Sequence, residues 1–209
     1  MQLISEARVM QLCYSPVSIH AKSHLSTVVL ALVPRAVALN LVLGAVVGAL
    51  KLPLYLDSTG TILVAVLAGP MAGMLTGLVS NLVLGLLSSP TFFGFIPVAL
   101  VIGAVAGWWG RVGAFQSVWA ASAAGVSIGL AAGLASVPIV CALFGCVTAS
   151  GSGLITVGLR ALGIPLTMAA SLASVSTDIV DKTLSCALVA LVIDRLPRRI
   201  TQRLAGARR

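Results

Sequence analysis

The chain has 209 residues, of which 59% are hydrophobic and 9% are charged, and its mean hydropathy is +1.12. A water-soluble domain typically carries about 25% charged residues. The 13 basic and five acidic side chains of this chain cannot cover a soluble surface of its size. The composition excludes a soluble enzyme, a secreted disulfide scaffold and a disordered tail, and it indicates an integral membrane protein.

The formal net charge of +8 is concentrated near the C-terminal end, where six of the 13 lysines and arginines occupy the last fifteen residues. Basic residues after an apolar span mark the cytoplasmic side of a membrane, whereas a nucleic-acid partner would require an accompanying fold. The sequence therefore predicts three parts and no nucleic-acid binding. They are a cytoplasmic lead-in over 1–25, a membrane domain over 26–197 and a basic cytoplasmic tail over 198–209.

Apolar runs of about 20 residues are long enough to cross the hydrocarbon core of a bilayer. They predict an all-α, polytopic membrane bundle of about six spans, at 26–50, 58–69, 70–87, 92–109, 115–144 and 176–196. The second span is short, and the fifth is long enough to tilt or to break near Pro138. Residues 154–173 are cut by Arg160, Gly163 and Pro165, so they span, re-enter or lie on the surface, and five or seven spans stay open.

Six spans place both termini on one side of the cell membrane. If that side is cytoplasmic, it holds nine basic residues, and the other side holds two, Lys51 and Arg160. This distribution follows the positive-inside rule. Glycine and alanine crowd the spans, which we interpret as close packing of helices within the bundle.

Metal-binding and catalytic motifs are sparse. Cys141 and Cys146 are five residues apart with no zinc-site partner nearby, so we interpret them as small, buried apolar residues. His20 and His24 have the spacing of neighbours on a helix but lack a third ligand. We expect no metal site, no cofactor in this chain and no enzymatic activity.

The charged residues inside the apolar runs carry more information, because an intramembrane charge is costly and marks a functional site by default. Asp178, Asp181 and Lys182 lie early in the sixth predicted span and share one helix face. They form either an internal ion pair that docks the helix or a contact with a ligand. The predicted topology places them toward the outer side.

Other polar and aromatic residues lie on the same predicted side. Asp57, at the start of the second span, is a candidate helix N-cap in competition with Ser58 and Thr59. Buried amides need hydrogen-bond partners; we expect Asn40 to be structural, whereas Asn81 is structural or contacts a ligand. The aromatic residues Tyr55, Phe92 and Phe93 stack on a flat ligand or form an interfacial belt.

Three stretches together resemble the substrate-binding S components of energy-coupling factor (ECF) transporters. They are residues 51–61 (KLPLYLDSTGT), residues 68–73 (AGPMAG) followed by Gly77 and Asn81, and residues 181–185 (DKTLS) before 196–199 (LPRR). The resemblance covers roughly residues 30–110 and 176–200.

The resemblance implies a six-helix membrane protein that captures a vitamin or related micronutrient from outside. It implies partners, namely a membrane coupling protein and two cytoplasmic ATPase subunits that use ATP in place of this chain. The family's AxxxA contact to the coupling protein matches Ala45 and Ala49 literally, with Ala31, Ala36 and Ala38 as alternatives. The substrate site would draw on Tyr55, Asp57, Asn81, Phe92, Phe93, Asp178, Asp181 and Lys182.

Two other functions compete with this interpretation. A self-sufficient small secondary transporter or channel would need a coupling-ion path, for which Asp178, Asp181 and Lys182 are the plausible relay. A membrane enzyme acting on lipids would need clustered acids or histidines on the cytoplasmic side, where arginines prevail. The capture subunit is the leading hypothesis, with the secondary transporter or channel as the alternative.

Overall fold

The structure is a computed structural model that describes residues 27–50, 52 and 54–196, and every regular element in these residues is a helix. The seven α-helices are α1 Thr27–Ala49, α2 Thr59–Ala68, α3 Pro70–Leu87, α4 Ile96–Val112, α5 Val118–Phe144, α6 Gly151–Ala161 and α7 Leu166–Arg195. Short 3-10 helices, Pro90–Phe95 and Ala114–Gln116, precede α4 and α5. The predicted all-α bundle is confirmed, while the lead-in over 1–25 and the tail over 198–209 lie outside the described residues.

Glycine and proline set the helix boundaries. Gly69 has a φ of +99°, and Pro70 follows it at the first position of α3, so the chain turns sharply between α2 and α3. Gly145, with a φ of +60°, ends α5. Pro34 and Pro138 lie inside α1 and α5, and α5 continues through Pro138 without a break in the helix.

The outer surface of the bundle is apolar. Four segments are long and apolar enough to cross a membrane, namely Val29–Ala49, Pro70–Leu87, Pro90–Val112 and Val118–Phe144. Large apolar side chains such as Leu86, Leu134 and Leu154 point outward, whereas serine, threonine, asparagine and aspartate side chains fill interior positions. This arrangement suits a lipid solvent. The sequence predicts about six spans, of which the structure supports four by length and composition.

The last helix differs most from its prediction. The α7 helix begins at Leu166, ten residues before the predicted start, and runs for 30 residues. The ambiguous segment 154–173 is thereby divided between α6 and the first turns of α7. The predicted loop over 148–153 is shorter, because α6 already begins at Gly151.

Glycines allow α5 and α7 to approach closely along their length. A Cβ atom added at Gly129 would lie 2.5 Å from the Asp178 carbonyl oxygen, and one at Gly125 would lie 2.6 Å from the Thr183 Cα. Gly133 has the same relation to Val175. These three glycines are four residues apart, as in the small-residue interfaces of membrane helices. The interpretation of small residues as packing elements is confirmed for this pair of helices.

Asn40 joins three helices in the interior of the bundle. Its side-chain amide donates to Thr61 Oγ1 and to Ser80 Oγ, both at 2.9 Å, and its carbonyl accepts from the Gly60 N–H at 2.7 Å. The residue is fully buried. Asn40 therefore has the structural role that the sequence predicts.

The interpretation of Cys141 and Cys146 as unmodified apolar residues is wrong, because the two form a disulfide. The bond joins the last turn of α5 to the residue that follows Gly145. A spacing of five residues indicates no pairing by itself, but the turn at Gly145 brings the two side chains together. Of the cysteines in the described residues, Cys186 is free and buried.

Candidate functional site

The connection between α1 and α2 binds to the middle of α7. The backbone N–H groups of Tyr55 and Leu56 both donate to Asp181 Oδ1, at 2.9 Å and 2.8 Å. Successive N–H groups that converge on one oxygen resemble the anion-binding concavities of protein backbones. Asp181 is completely buried, and its carboxylate therefore holds non-helical backbone against the bundle interior.

Leu56 has a φ of +49°, a left-handed conformation that is costly for a residue with a side chain. Such conformations persist only where the surrounding structure fixes them, and they cluster at functional sites. Here the two hydrogen bonds to Asp181 supply that constraint. The strained residue thus adjoins the same carboxylate that the sequence singles out.

Four charged residues form what we call the charged cluster: Asp57, Asp178, Asp181 and Lys182. The Lys182 ammonium forms an ion pair with Asp181 Oδ2 and lies 4.0 Å from Asp178 Oδ1. Asp57 is half-buried and lies within electrostatic range of Lys182 and Asp181. The remaining oxygen of Asp178 accepts a hydrogen bond of 3.3 Å from Ser136 on α5.

The charged cluster lies farther along its helix than the sequence predicts. Asp178 is the thirteenth residue of α7, about 18 Å from the start of the helix at about 1.5 Å per residue. The α2 helix has ten residues, which is about 15 Å and half of a bilayer core of about 30 Å. Within a membrane, a short helix preceded by irregular backbone is tolerated where the backbone is buried in protein or lines a cavity.

Hydroxyl groups surround the charged cluster on the side of the α5–α6 connection. The Tyr55 hydroxyl lies 2.8 Å from Ser152 Oγ and 3.4 Å from Ser150 Oγ. Thr148 Oγ1 lies 2.8 Å from Ser150 Oγ and 3.1 Å from Ser152 Oγ. We call these four residues the hydroxyl cluster. It joins two connecting segments, one before α2 and one before α6, next to the charged cluster.

The structure brings five of the predicted site residues together, namely Tyr55, Asp57, Asp178, Asp181 and Lys182. Asn81 instead donates from its amide to the Gly77 carbonyl of its own helix at 3.1 Å. Phe92 and Phe93 lie in the 3-10 helix Pro90–Phe95, where the Phe93 ring covers Gly85. Asp57 is not the N-cap of α2. Ser58 occupies that position, and its side chain makes no capping hydrogen bond.

The two alanines expected to contact a coupling protein lie on the surface of α1. Ala45 and Ala49 are both exposed, as are Ala31 and Ala38 among the alternatives. Ala36 is buried, and its carbonyl lies where a Cβ on Gly60 would be placed. Ala36 therefore packs against α2 and is not free for a partner.

Several polar residues next to the site are absent from the set that the sequence predicts. Ser136, Ser150 and Ser152 contact Asp178 or Tyr55, and Ser185 accepts a hydrogen bond of 3.3 Å from Thr59 Oγ1. The run TASGSG at 148–153, which the sequence predicts only as a loop, is the most polar stretch between the fifth span and α7. Its density of hydroxyls in an apolar chain is the signal that could have identified it.

Within the part of the chain that the structure describes, no group of three or more histidine, cysteine or acidic side chains is arranged to hold a metal ion. Comparison with protein families, characterised proteins and solved structures found no match to this chain. The candidate site therefore stands on its own geometry.

Proposed function

We propose that this chain is the substrate-capture subunit of an ECF-type importer, which binds a vitamin or related micronutrient from the outer side of the cell membrane. The observation that carries the proposal is the contact between two of the three stretches on which the family resemblance depends. Tyr55 and Leu56 belong to the first stretch, Asp181 belongs to the third, and they are more than 120 residues apart in sequence.

The same two stretches meet a second time, because Thr59 Oγ1 donates to Ser185 Oγ at 3.3 Å. Residues that resemble one family in separate parts of a chain support a common function more strongly when they build one site. Transporter binding sites are often formed by discontinuous membrane helices, in which irregular backbone interrupts the helix. The segment that precedes the short α2 helix has this character.

The disulfide supports the proposed orientation. Disulfides persist in oxidising compartments and are rare in the cytosol. With both termini in the cytoplasm, α5 ends on the outer side, and the Cys141–Cys146 bond then faces an oxidising environment. The hydroxyl cluster directly follows this bond, so it would lie on the route by which an outside ligand reaches the charged cluster.

In this proposal the chain binds the substrate and catalyses no reaction, and it carries no cofactor. A membrane coupling protein and two ATPase subunits supply the energy from ATP. The exposed face of α1 with Ala45 and Ala49 is the surface offered to the coupling protein. This division of work explains why the buried charged residues of the described part of the chain converge on one region.

Reconstitution tests the proposal directly. The full chain is placed in liposomes alone, and in parallel with the coupling protein and ATPases of the same cell and with ATP on the ATPase side. Uptake is measured for the small molecule identified by native mass spectrometry of the chain purified from rich medium. We expect uptake only when the partners and ATP are present.

The alternative function gives the opposite result. Uptake by the chain alone under a proton or sodium gradient would identify a secondary transporter, and gradient-independent leakage would identify a channel.

Asp194→Asn serves as the matched control for changes in the charged cluster, since Asp194 is an exposed acid on the same helix. It should leave uptake unchanged.

A further inference from the structure

The charged cluster has an excess of negative charge. It contains three carboxylates and one ammonium group, so two formal negative charges are not balanced by Lys182. The four arginines in the described residues, Arg35, Arg111, Arg160 and Arg195, are all exposed. Carboxylates inside a low-dielectric interior require a compensating positive charge or a proton.

Lys182 is largely committed to one of the three acids. Its ammonium pairs with Asp181, which also accepts the Tyr55 and Leu56 N–H groups, so the acceptor capacity of Asp181 is used inside the protein. Asp178 has a long hydrogen bond from Ser136 and lies 4.0 Å from Lys182. Asp57 makes no ion pair within 4 Å with any described residue. Asp57 and Asp178 are therefore the acids left to meet a ligand.

Three buried hydroxyls lack hydrogen-bond partners among the described residues, those of Ser58, Thr177 and Thr183, and the first two are next to these acids in sequence. Thr177 precedes Asp178 and is 3% exposed, and Ser58 follows Asp57 and is 6% exposed. Thr177 and Asp181 are four residues apart on α7, so the Thr177 hydroxyl lies on the helix face that the Tyr55–Leu56 backbone covers. An unpaired buried hydroxyl costs about 1–3 kcal/mol. Unpaired hydroxyls next to Asp57 and Asp178 in sequence are available to a further molecule at the site.

We infer that the charged cluster binds a small organic molecule with a protonated nitrogen, whose N–H donors contact Asp57 and Asp178 and whose polar atoms contact Ser58 and Thr177. The inference rests on the proposed function and specifies its substrate class. A cationic ligand removes the charge imbalance and supplies the donors that the two carboxylates need. An anionic ligand would add to the excess negative charge, because Lys182 is already paired with Asp181.

A thermal-shift experiment on the full chain in detergent tests this class even while the substrate itself is unidentified. The probes are thiamine, pyridoxamine and spermidine as organic cations, riboflavin as a neutral compound, biotin and pantothenate as anions, and sodium and magnesium chloride as inorganic cations. Each probe is measured on wild type, Asp178→Asn, Asp57→Asn and the control Asp194→Asn. Calorimetry then gives the Kd of any stabilising probe.

We expect at least one organic cation to raise the Tm of wild type and of Asp194→Asn. The Kd of that cation should rise by about tenfold or more in Asp178→Asn and Asp57→Asn, because each variant loses one buried charge contact with the ligand. Without ligand, Asp178→Asn should unfold at or above the wild-type temperature, since it removes excess negative charge. That measurement also shows that the variant is folded.

Three results would overturn the inference. The first is a rise in Tm with an anion, or with an inorganic cation but no organic cation. The second is a rise in Tm with an organic cation that persists in both asparagine variants. The third is an unchanged Tm with every organic cation. Binding of biotin or pantothenate would leave the proposed importer function standing with a different substrate class. Binding of an organic cation combined with uptake by the chain alone would support the substrate class and contradict the proposed importer function.

Discussion

This bundle has two buried polar regions, which differ in how far their polar groups find hydrogen-bond partners inside the protein. Around Asn40 every polar atom of the side chain is paired within the protein, in three bonds of 2.7–2.9 Å to α2 and α3. Around Asp178 the side chains are charged, the bonds are longer, and the hydroxyls of Ser58 and Thr177 have no partner among the described residues. The first region is complete as it stands, and we infer that a ligand completes the second.

This difference separates structural from functional polar residues more clearly than burial alone. Asn40 and Asp178 are both buried. What distinguishes their surroundings is whether the donors and acceptors balance, because an unbalanced buried group costs free energy that a folded protein normally avoids. Substitutions in the two regions should therefore differ in whether they change stability, ligand binding or both.

The largest effect is expected for Asp181→Ala. The change leaves Lys182 without its ion-pair partner and frees the Tyr55 and Leu56 N–H groups inside the bundle. Removing one partner of a buried pair costs about 3–5 kcal/mol, so we expect a protein that unfolds or aggregates in detergent. Size-exclusion chromatography and thermal unfolding measure this, and a folded variant with wild-type Tm would show that Asp181 does not hold the α1–α2 connection in place.

Asn40→Ala should reduce stability by about 2 kcal/mol, since it breaks three buried hydrogen bonds and leaves the Gly60 N–H unpaired. Ligand affinity should stay within about twofold, because Asn40 makes no hydrogen bond to a residue of the charged cluster. Asn81→Ala is the matched control, as that amide bonds only to its own helix, and it should cost less than about 1 kcal/mol. Loss of ligand binding in Asn81→Ala would return that residue to the site.

Gly129→Ala connects packing to the charged cluster. The added Cβ would lie 2.5 Å from the Asp178 carbonyl oxygen, so α5 and α7 must separate there. Overpacking of this kind costs about 1–3 kcal/mol, and ligand affinity should fall with stability because Asp178 moves. Gly48→Ala is the control, with nothing within 4 Å of the added atom. Equal Tm values for the two variants would contradict the packing of α5 against α7.

Tyr55→Phe should have the smallest effect on stability, about 0.5–1.5 kcal/mol, because it removes only the hydroxyl contacts with Ser150 and Ser152. We expect faster ligand dissociation, since that contact joins the two connections that cover the charged cluster. Stopped-flow or competition measurements give the rate. An unchanged rate would mean that the hydroxyl cluster does not hold the site closed.

The sequence predicted the helical class, the importance of Asp178, Asp181 and Lys182 to the bundle interior, and the structural role of Asn40. These residues stand out because charge and amides inside apolar runs carry a strong physical penalty. The position of the charged cluster along α7 could not be predicted, because the start of α7 depends on how residues 154–173 divide between two helices. Hydropathy alone does not mark that division.

The contacts that complete the site were also beyond the sequence. Ser136, Ser150 and Ser152 are common residues whose importance comes from the tertiary approach of α5, the α5–α6 connection and Tyr55. The Cys141–Cys146 disulfide depends on the turn at Gly145, which the spacing of five residues did not reveal. Local patterns identified the charged residues, and packing decided which neighbours they have.

Native mass spectrometry of the full chain, purified in detergent from rich medium, tests the central claim most directly. The claim is that the charged cluster is a small-molecule site, and Asp178→Asn and Asp194→Asn are measured in parallel. We predict that wild type and Asp194→Asn retain one small molecule of the same mass, which Asp178→Asn loses while staying folded. Equal retention of that molecule by Asp178→Asn would contradict the claim and leave the charged cluster as an ion pair that docks α7.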